Sequence, residues 1–336
     1  MESYERLHRE ATVVDTHCDT LKTLMPIFTN SRDSMWEDRS EAGIGARSEL
    51  GHIDIPRLFD GGVNCQVFAI SSERKRKSAF PLRTALMMIE RFYFECNENS
   101  SWIEPVVSYE QIVESVKGGK IAALLSIEGA DVLEGSPELA GIYHRLGVRM
   151  VGIVHSLRNL LADGVTDCRT LGGISALGVE VVRRLDDLDM IIDVSHLNDE
   201  GFWDLIDITD NPFIASHSNS RSVCEHPRNL SDDMIQALAD KGGVMGMNFA
   251  PSFVHPIHAT VSRLVDHIDH IVDLVGPEHV GLGSDFDGIP STPEGLEDVS
   301  KMPNITNELA KRGYPEEDIK KILGGNHLRL VKEVIG

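Results

Sequence analysis

A (β/α)8 barrel is the fold class this sequence predicts, and three observations lead there. Eight short apolar segments alternate with segments of helical spacing. Most of the apolar segments end in an ionisable residue, as strands do at the catalytic mouth of a barrel. No linker, repeat or shift in composition divides the 336 residues. One domain spanning residues 1–336 is therefore expected, a length that suits a single large barrel.

Taken in order, Thr12 to Val14 are β-branched and read as a buried strand. If that strand runs on through Asp19, then His17 and Asp19 lie two apart on one face. Lys22 to Gly51 is mixed and charged with little periodicity, and reads as a long loop of the kind that walls an active site. Ile53 to Gly61 reads as a short helix and Asn64 to Ile70 as the second strand. Glu73 to Lys77 is a basic run, read as a solvated loop. Helical spacing follows over Leu82 to Asn97 and again over Tyr109 to Lys117, the latter closed by Gly118 and Gly119.

The third strand, Ile121 to Ile127, ends at Glu128, and the fourth, Arg149 to Val154, ends at His155. A helix over Pro137 to Leu146 joins them and stops at Gly147. After a helix over Gly172 to Leu188, the fifth strand, Met190 to Ser195, ends at His196. Asp199 to Ile208 is helical, and the sixth strand, Pro212 to Ser216, ends at His217. Ser231 caps a helix reaching Lys241, with Asp232 and Asp233 in its first turn. The seventh strand, Gly243 to Met247, ends at Asn248. A helix over Val261 to Val275 leads to the eighth strand, Val280 to Gly283, which ends at Ser284 and Asp285. Two terminal helices close the chain, with Pro315 at the first position of one and Asn326 capping the other.

Lys and Arg number 32 against 53 Asp and Glu, a net charge of −21. Such a surface repels nucleic acid and anionic lipid and attracts cations, so neither nucleic acid nor membrane is expected as a partner. Five cysteines, an odd number without a CxxC pair, form no disulfide framework and point to a reducing compartment. The N-terminus is polar, without a visible signal peptide, and no apolar run reaches the ~18 residues of a membrane span. A cytoplasmic protein is the expectation.

The chemistry lies in the strand ends. His17 with Asp19, Glu128, His155, His196, His217 and Asp285 would all converge on one face of a barrel. Each alone has an ordinary explanation: Glu128 as a helix-start acid, His155 as a satisfied core histidine, Asp285 as a turn carboxylate. Together they are hard to ascribe to packing, because buried ionisable groups are costly without partners. Three histidines and two carboxylates exceed one four-coordinate metal and suit two that share a ligand. Glu128 is the natural bridge, since a carboxylate can offer one oxygen to each cation. His17 and Asp19 would complete one site, and His196 with His217 the other, leaving His155 and Asp285 for chemistry. A water between two such cations would ionise near neutral pH. Competing motifs are missing: no HExxH, serine elbow or Walker loop occurs. Gly281-Leu-Gly283 lacks a third glycine, and Asp285-Phe-Asp-Gly288 is not a full calcium loop.

The ordered motifs Asp15-Thr-His-Cys-Asp19, Gly51-His-Ile-Asp-Ile-Pro-Arg57, Ser126-Ile-Glu-Gly129 and His155-Ser-Leu-Arg-Asn159 run nearly end to end with four more. These are Asp193-Val-Ser-His196, Ser216-His-Ser218, His226-Pro-Arg-Asn229 and Gly283-Ser-Asp-Phe-Asp-Gly288. In this the chain resembles the renal (membrane) dipeptidase family of zinc dipeptidases, within the amidohydrolase superfamily. The resemblance implies two zinc ions, His17, Asp19 and Glu128 on one and Glu128, His196 and His217 on the other, and a homodimer. It further implies Asp285 as the acid/base, His155 as the group that polarises the substrate, and Arg228 as the receiver of the substrate carboxylate. The expected substrate is a free dipeptide, with a D-residue at its C-terminal position within the expectation. Membrane-bound members carry a signal peptide and a lipid-anchor tail. Neither is visible here, so a soluble member is expected. The rivals are hydrolysis of N-acyl amino acids or lactams at the same site, and a non-catalytic metal-binding scaffold. Side-chain preference is left open, as is the metal, since these ligands also accept Mn, Co or Fe.

Overall fold

Short β-rich segments that are apolar on both faces must be covered on both sides, which favours a parallel sheet wrapped by helices. That is the arrangement in the computed structural model, which describes residues 3–26, 38–71, 80–166 and 171–336. The strands are β1 (Val13–Cys18), β2 (Val63–Ser71), β3 (Ile103–Pro105), β4 (Ile121–Glu128) and β5 (Val148–Gly152), then β6 (Ile191–Asp193), β7 (Ile214–Ser218), β8 (Val244–Met247) and β9 (Val280–Leu282). All pair in parallel, and eight of them close in the order β1-β2-β4-β5-β6-β7-β8-β9. The ring is completed where Asp15 of β1 meets Leu282 of β9. This is the (β/α)8 barrel expected from the sequence.

Alternate strand positions fill its centre. Val14, Cys65, Val67, Leu124, Met150, Ile191, Ile214 and Val244 form one buried cluster, which Leu330 and Val331 of the last helix join. A second, larger cluster lies between the strands and the surrounding helices. Cys18, Cys65, Cys96 and Cys224 are free and buried. Among the described residues no helix is long and apolar enough to cross a membrane.

Several elements differ from expectation. β1 stops at Cys18; Asp19 has left the strand (φ −101, ψ 19) and begins a short helix, Thr20–Thr23. Lys22, expected in a loop, is therefore in a helical turn and almost wholly buried. β5 and β6 end earlier than expected, so His155 and His196 each lie three residues past a strand. β7 runs to Ser218 and holds His217 inside it. The helix expected over Gly172 to Leu188 covers Ala176–Asp186, begun by the Ser175 hydroxyl, which accepts from the Gly178 amide. Pro315 precedes its helix, Glu316–Lys320, as the cap residue, and Asn326 opens rather than caps Asn326–Val334, following a kink at Gly324.

Elements not foreseen include the helices Ser3–Glu10, Pro251–Val254 and Pro303–Lys311, and the three-residue β3. β3 pairs beside the start of β4 without entering the ring, and it is too short to carry a period. The basic run Glu73 to Lys77, and part of the expected loop after Lys22, lie outside the described residues.

What is described of that loop folds back onto the end of β9. Arg39, fully buried, donates to the Ile53 carbonyl (2.7 Å) and pairs with Asp287. Asp287 also accepts from the Thr20 hydroxyl (2.7 Å) and the His52 amide. The residues just after β1 and just after β9 are thereby fastened together.

Candidate metal centre

The C-terminal ends of the strands bring every ionisable residue singled out above into one place. Glu128 ends β4, and its Oε1 atom is the meeting point. His196 Nε2 lies 3.0 Å away, His17 Nε2 3.5 Å, and His155 Nε2 and His217 Nε2 3.6 Å each. The facing ring nitrogens of His196 and His217 are 2.9 Å apart, and the His17 ring stacks on His217 at 3.8 Å between centroids. His17, Asp19 and Asp285 present ligand atoms within 4.8 Å of one another. Asp19 and His17 thus meet although they do not share a strand face.

Backbone geometry makes the close approach possible. Gly129 follows Glu128 at φ +89, and a Cβ there would stand 2.9 Å from that of His155. Gly288 leaves room for two carboxylates, since its Cβ would lie 2.4 Å from oxygens of both Asp19 and Asp285. Asp285 and His196 adopt left-handed φ values of 64 and 73. Such strain in non-glycine residues is typical of sites where the surroundings dictate side-chain direction.

Electrostatics follow from burial. Burial alone would raise the Glu128 carboxyl, but His155, Lys22 and His17 beside it outweigh that and hold it well below the usual carboxylate range. Burial pushes His196 and His217 well below the ordinary imidazole range, and the Arg228 charge pushes the same way. Both rings are therefore neutral, the form that ligates metals. Asp285 is raised to about 6, first by burial and then by Asp19 and Glu128, against the opposing pull of His17. Its Oδ2 accepts from Asn248 Nδ2 at 2.9 Å.

The two neutral histidines are held from behind. Ser216 Oγ lies 2.5 Å from Asp193 Oδ2 and 2.7 Å from His217 Nδ1. An ionised carboxylate only accepts, so the serine proton points to Asp193, and the serine oxygen accepts from Nδ1–H of His217. That leaves Nε2 of His217 with its lone pair facing Glu128. His196 Nδ1 lies 2.8 Å from Ser156 Oγ.

Arg228 is buried beside the same cluster, its guanidinium donating to the His217 carbonyl (3.2 Å) and Ser218 Oγ (3.4 Å) and lying over the Phe253 ring. Its Nε makes no hydrogen bond. Neither does Nε2 of His17, although that atom is buried. An orphaned imidazole nitrogen next to carboxylate oxygens is what a metal-ligand set presents, so these residues fit a divalent cation.

Several contributors carry weaker signals in the sequence. Asn248 carried the same signal as its neighbours, a polar residue at a strand end. Asp193 and Ser216 stand inside the motifs Asp193-Val-Ser-His196 and Ser216-His-Ser218 with no signal of their own for a role. Lys22 lies three residues after Asp19, a spacing that meets on one side only in a helical turn.

A parallel barrel with imidazoles and carboxylates converging at its C-terminal mouth defines a metallohydrolase-type protein. Residues 1–335 match the family model described as membrane dipeptidase, peptidase family M19. The chain belongs to that family and is a dipeptidase of it. It is 33% identical over 295 residues to dipeptidase tcpJ of Claviceps purpurea, covering 84% of this chain and 69% of that one. It is 32% identical over 349 residues to the uncharacterized dipeptidase C965.12 of Schizosaccharomyces pombe, covering 98% and 82%. Among solved structures, the fold matches a metallopeptidase of Rhodobacter sphaeroides bound to a phosphinate mimic of L-Ala-D-Ala, with TM-score 0.85 and 24% identity over 96% of this chain and 99% of that one. It also matches the probable dipeptidase PvdM of Pseudomonas aeruginosa, with TM-score 0.87 and 24% identity over 98% and 97%.

Proposed function

We propose that the chain hydrolyses free dipeptides, those with a C-terminal D-residue included, at a centre of two zinc ions. His17, Asp19 and Glu128 would hold one ion, and Glu128, His196 and His217 the other. Bound there, such ions ionise a water and polarise a carbonyl near neutral pH. The observation that carries this reading is the convergence of four imidazoles on one oxygen of Glu128, a carboxylate whose protonation burial would otherwise favour.

The chain's own residues supply the rest. Asp285, with its carboxyl raised to about 6, is suited to take a proton from the attacking water and return it to the leaving amine. His155, the most exposed of the four imidazoles, stabilises the oxyanion that develops on the scissile carbonyl. Arg228 grips the substrate carboxylate through two parallel hydrogen bonds, which sets the distance from C-terminus to scissile bond and excludes longer chains.

The test is a panel of L-L and L-D dipeptides run beside N-acyl amino acids, with metal analysis of the same sample. Dipeptide turnover with two equivalents of zinc supports the reading, whereas preferential turnover of N-acyl amino acids overturns it. Arg228→Met should lower kcat/KM on free dipeptides by about 10- to 150-fold, the scale of a charge-assisted hydrogen bond. The loss should be much smaller on dipeptide amides. Equal losses on both would remove Arg228 as the carboxylate receiver.

A further inference from the structure

The two oxygens of Glu128 have different surroundings. Oε1 faces the imidazoles, but Oε2 lies 3.3 Å from the ammonium of Lys22, which also contacts Asp19 Oδ2 at 2.6 Å. Lys22 is 1% exposed. A lysine buried that far is tolerable only with carboxylates around it, and the two it meets among the described residues are the two assigned above to the His17 half of the centre. The turn Thr20–Thr23 fixes this arrangement, because Asp19 starts the helix and Lys22 comes back over it.

Among the described residues, no lysine or arginine pairs with the ligand atoms of the His196–His217 half; the nearest basic group there is the His155 imidazole, 3.6 Å from Glu128 Oε1. Arg228 lies near, but its guanidinium is turned to the His217 carbonyl and the Ser218 hydroxyl rather than to a metal-facing atom. Histidine nitrogens there are held by serine hydroxyls, which are neutral. The halves therefore differ in charge: one offers Asp19 and Glu128 already shared with an ammonium, the other offers neutral imidazoles and Glu128 Oε1.

We propose that Lys22 sets the metal affinity of the His17–Asp19 half, by competing with the incoming cation for Asp19 and Glu128. The inference rests on the two-ion reading above. An ammonium and a divalent ion on the same carboxylates repel each other strongly where little water screens them. Loading is therefore ordered: the His196–His217 half fills first, and the His17–Asp19 half fills second and more weakly, with the Lys22 side chain moving off its carboxylates as it does so. Lys22 also keeps those carboxylates neutralised while the second ion is absent.

The experiment is stepwise titration of the metal-stripped full chain with Zn2+ against a chelator of known affinity, repeated with Co2+ to follow coordination by its visible spectrum. The native chain should bind two ions with separated dissociation constants. Lys22→Met should tighten the weaker one by roughly 10- to 100-fold, the scale on which neighbours of metal ligands tune affinity, and leave the tighter one within about threefold. Lys22→Arg, which keeps the charge, should preserve the native separation. Lys22→Gln, neutral and able to hydrogen-bond both carboxylates, should behave as Lys22→Met and serves if that variant does not fold. Metal-free Lys22→Met should melt below the native chain yet gain more on adding zinc.

Two ions in the native chain with the weaker constant unchanged or weakened in both neutral variants overturns the proposal and leaves the two-ion reading standing. A single ion in every variant overturns the two-ion reading and this proposal with it. One ion in the native chain and two in the neutral variants supports competition in its strongest form.

Discussion

The half of the centre built on His196 and His217 and the half built on His17 and Asp19 are made by different means. In the first, direction comes from hydrogen bonds: Asp193 turns the Ser216 hydroxyl, Ser216 fixes the His217 ring, and Ser156 holds His196. In the second it comes from charge and chain path: Lys22 gathers the Asp19 and Glu128 oxygens, and Asp285 closes over them after β9. Yet the same clasp occurs behind both. Asp15 accepts from the Ser284 amide (2.8 Å) and hydroxyl (2.6 Å), as Asp193 does from the Ser216 amide (2.9 Å) and hydroxyl. The difference is what the serine oxygen touches next. Ser216 reaches an imidazole, whereas Ser284 meets backbone, the His17 carbonyl and the Phe286 amide. One clasp orients a ligand atom; the other sets the path of the chain.

Substitutions can break or sharpen that contrast. Asp285→Asn should act on neither half, retaining both ions while kcat falls roughly 10²- to 10⁴-fold, the usual scale of general acid–base catalysis. Near-normal turnover would remove Asp285 from proton transfer. Glu128→Gln should cut affinity in both halves at once, by more than the ~100-fold seen for residues that only support a ligand. Two full equivalents retained at low free zinc would show that Glu128 is no bridge.

Ser216→Ala should weaken the His196–His217 half by about 10- to 100-fold and spare the other. Ser216→Thr should restore the affinity, because it keeps the hydroxyl. Imidazole nitrogen resonances of the metal-free protein would report the lost tautomer directly, and unchanged resonances in Ser216→Ala would break the contrast. The mildest effect on metal is expected from Asp15→Asn. It should leave both dissociation constants within error and lower stability by about 1–3 kcal/mol, the cost of a buried polar group losing its partner. A change in zinc affinity there would show that the two clasps do the same work.

The fold was legible because a barrel repeats one message eight times. Each strand is short, apolar and followed by a helix, so an error of two residues at Ser195 or Val154 does not alter the order. Part of what was missed has few residues: β3 has three, and Thr20–Thr23 is a single turn. The gathering of His17, Asp19, Glu128, His155, His196, His217 and Asp285 was legible from strand ends alone. Lys22 was not, because its place depends on Asp19 leaving the strand, and alternation carried past Cys18 puts the following residues in the wrong directions. Asp193 and Ser216 were visible as motif letters, but their hydrogen bonds join strands that only tertiary structure brings side by side.

The Ser216 hydroxyl has one proton and two neighbours, and this limits how the family can vary. With an ionised Asp193 the proton is committed, and the serine oxygen is left to accept from His217. Were Asp193 replaced by an amide whose NH2 faced the serine, the proton would be free to turn toward the imidazole, and the wrong ring nitrogen would carry the lone pair. A change that removes the carboxylate at 193 or the hydroxyl at 216 is thus harmful until the other position changes to match. Substitutions at 193 and 216 should travel through lineages as a pair, a two-letter word read across two strands.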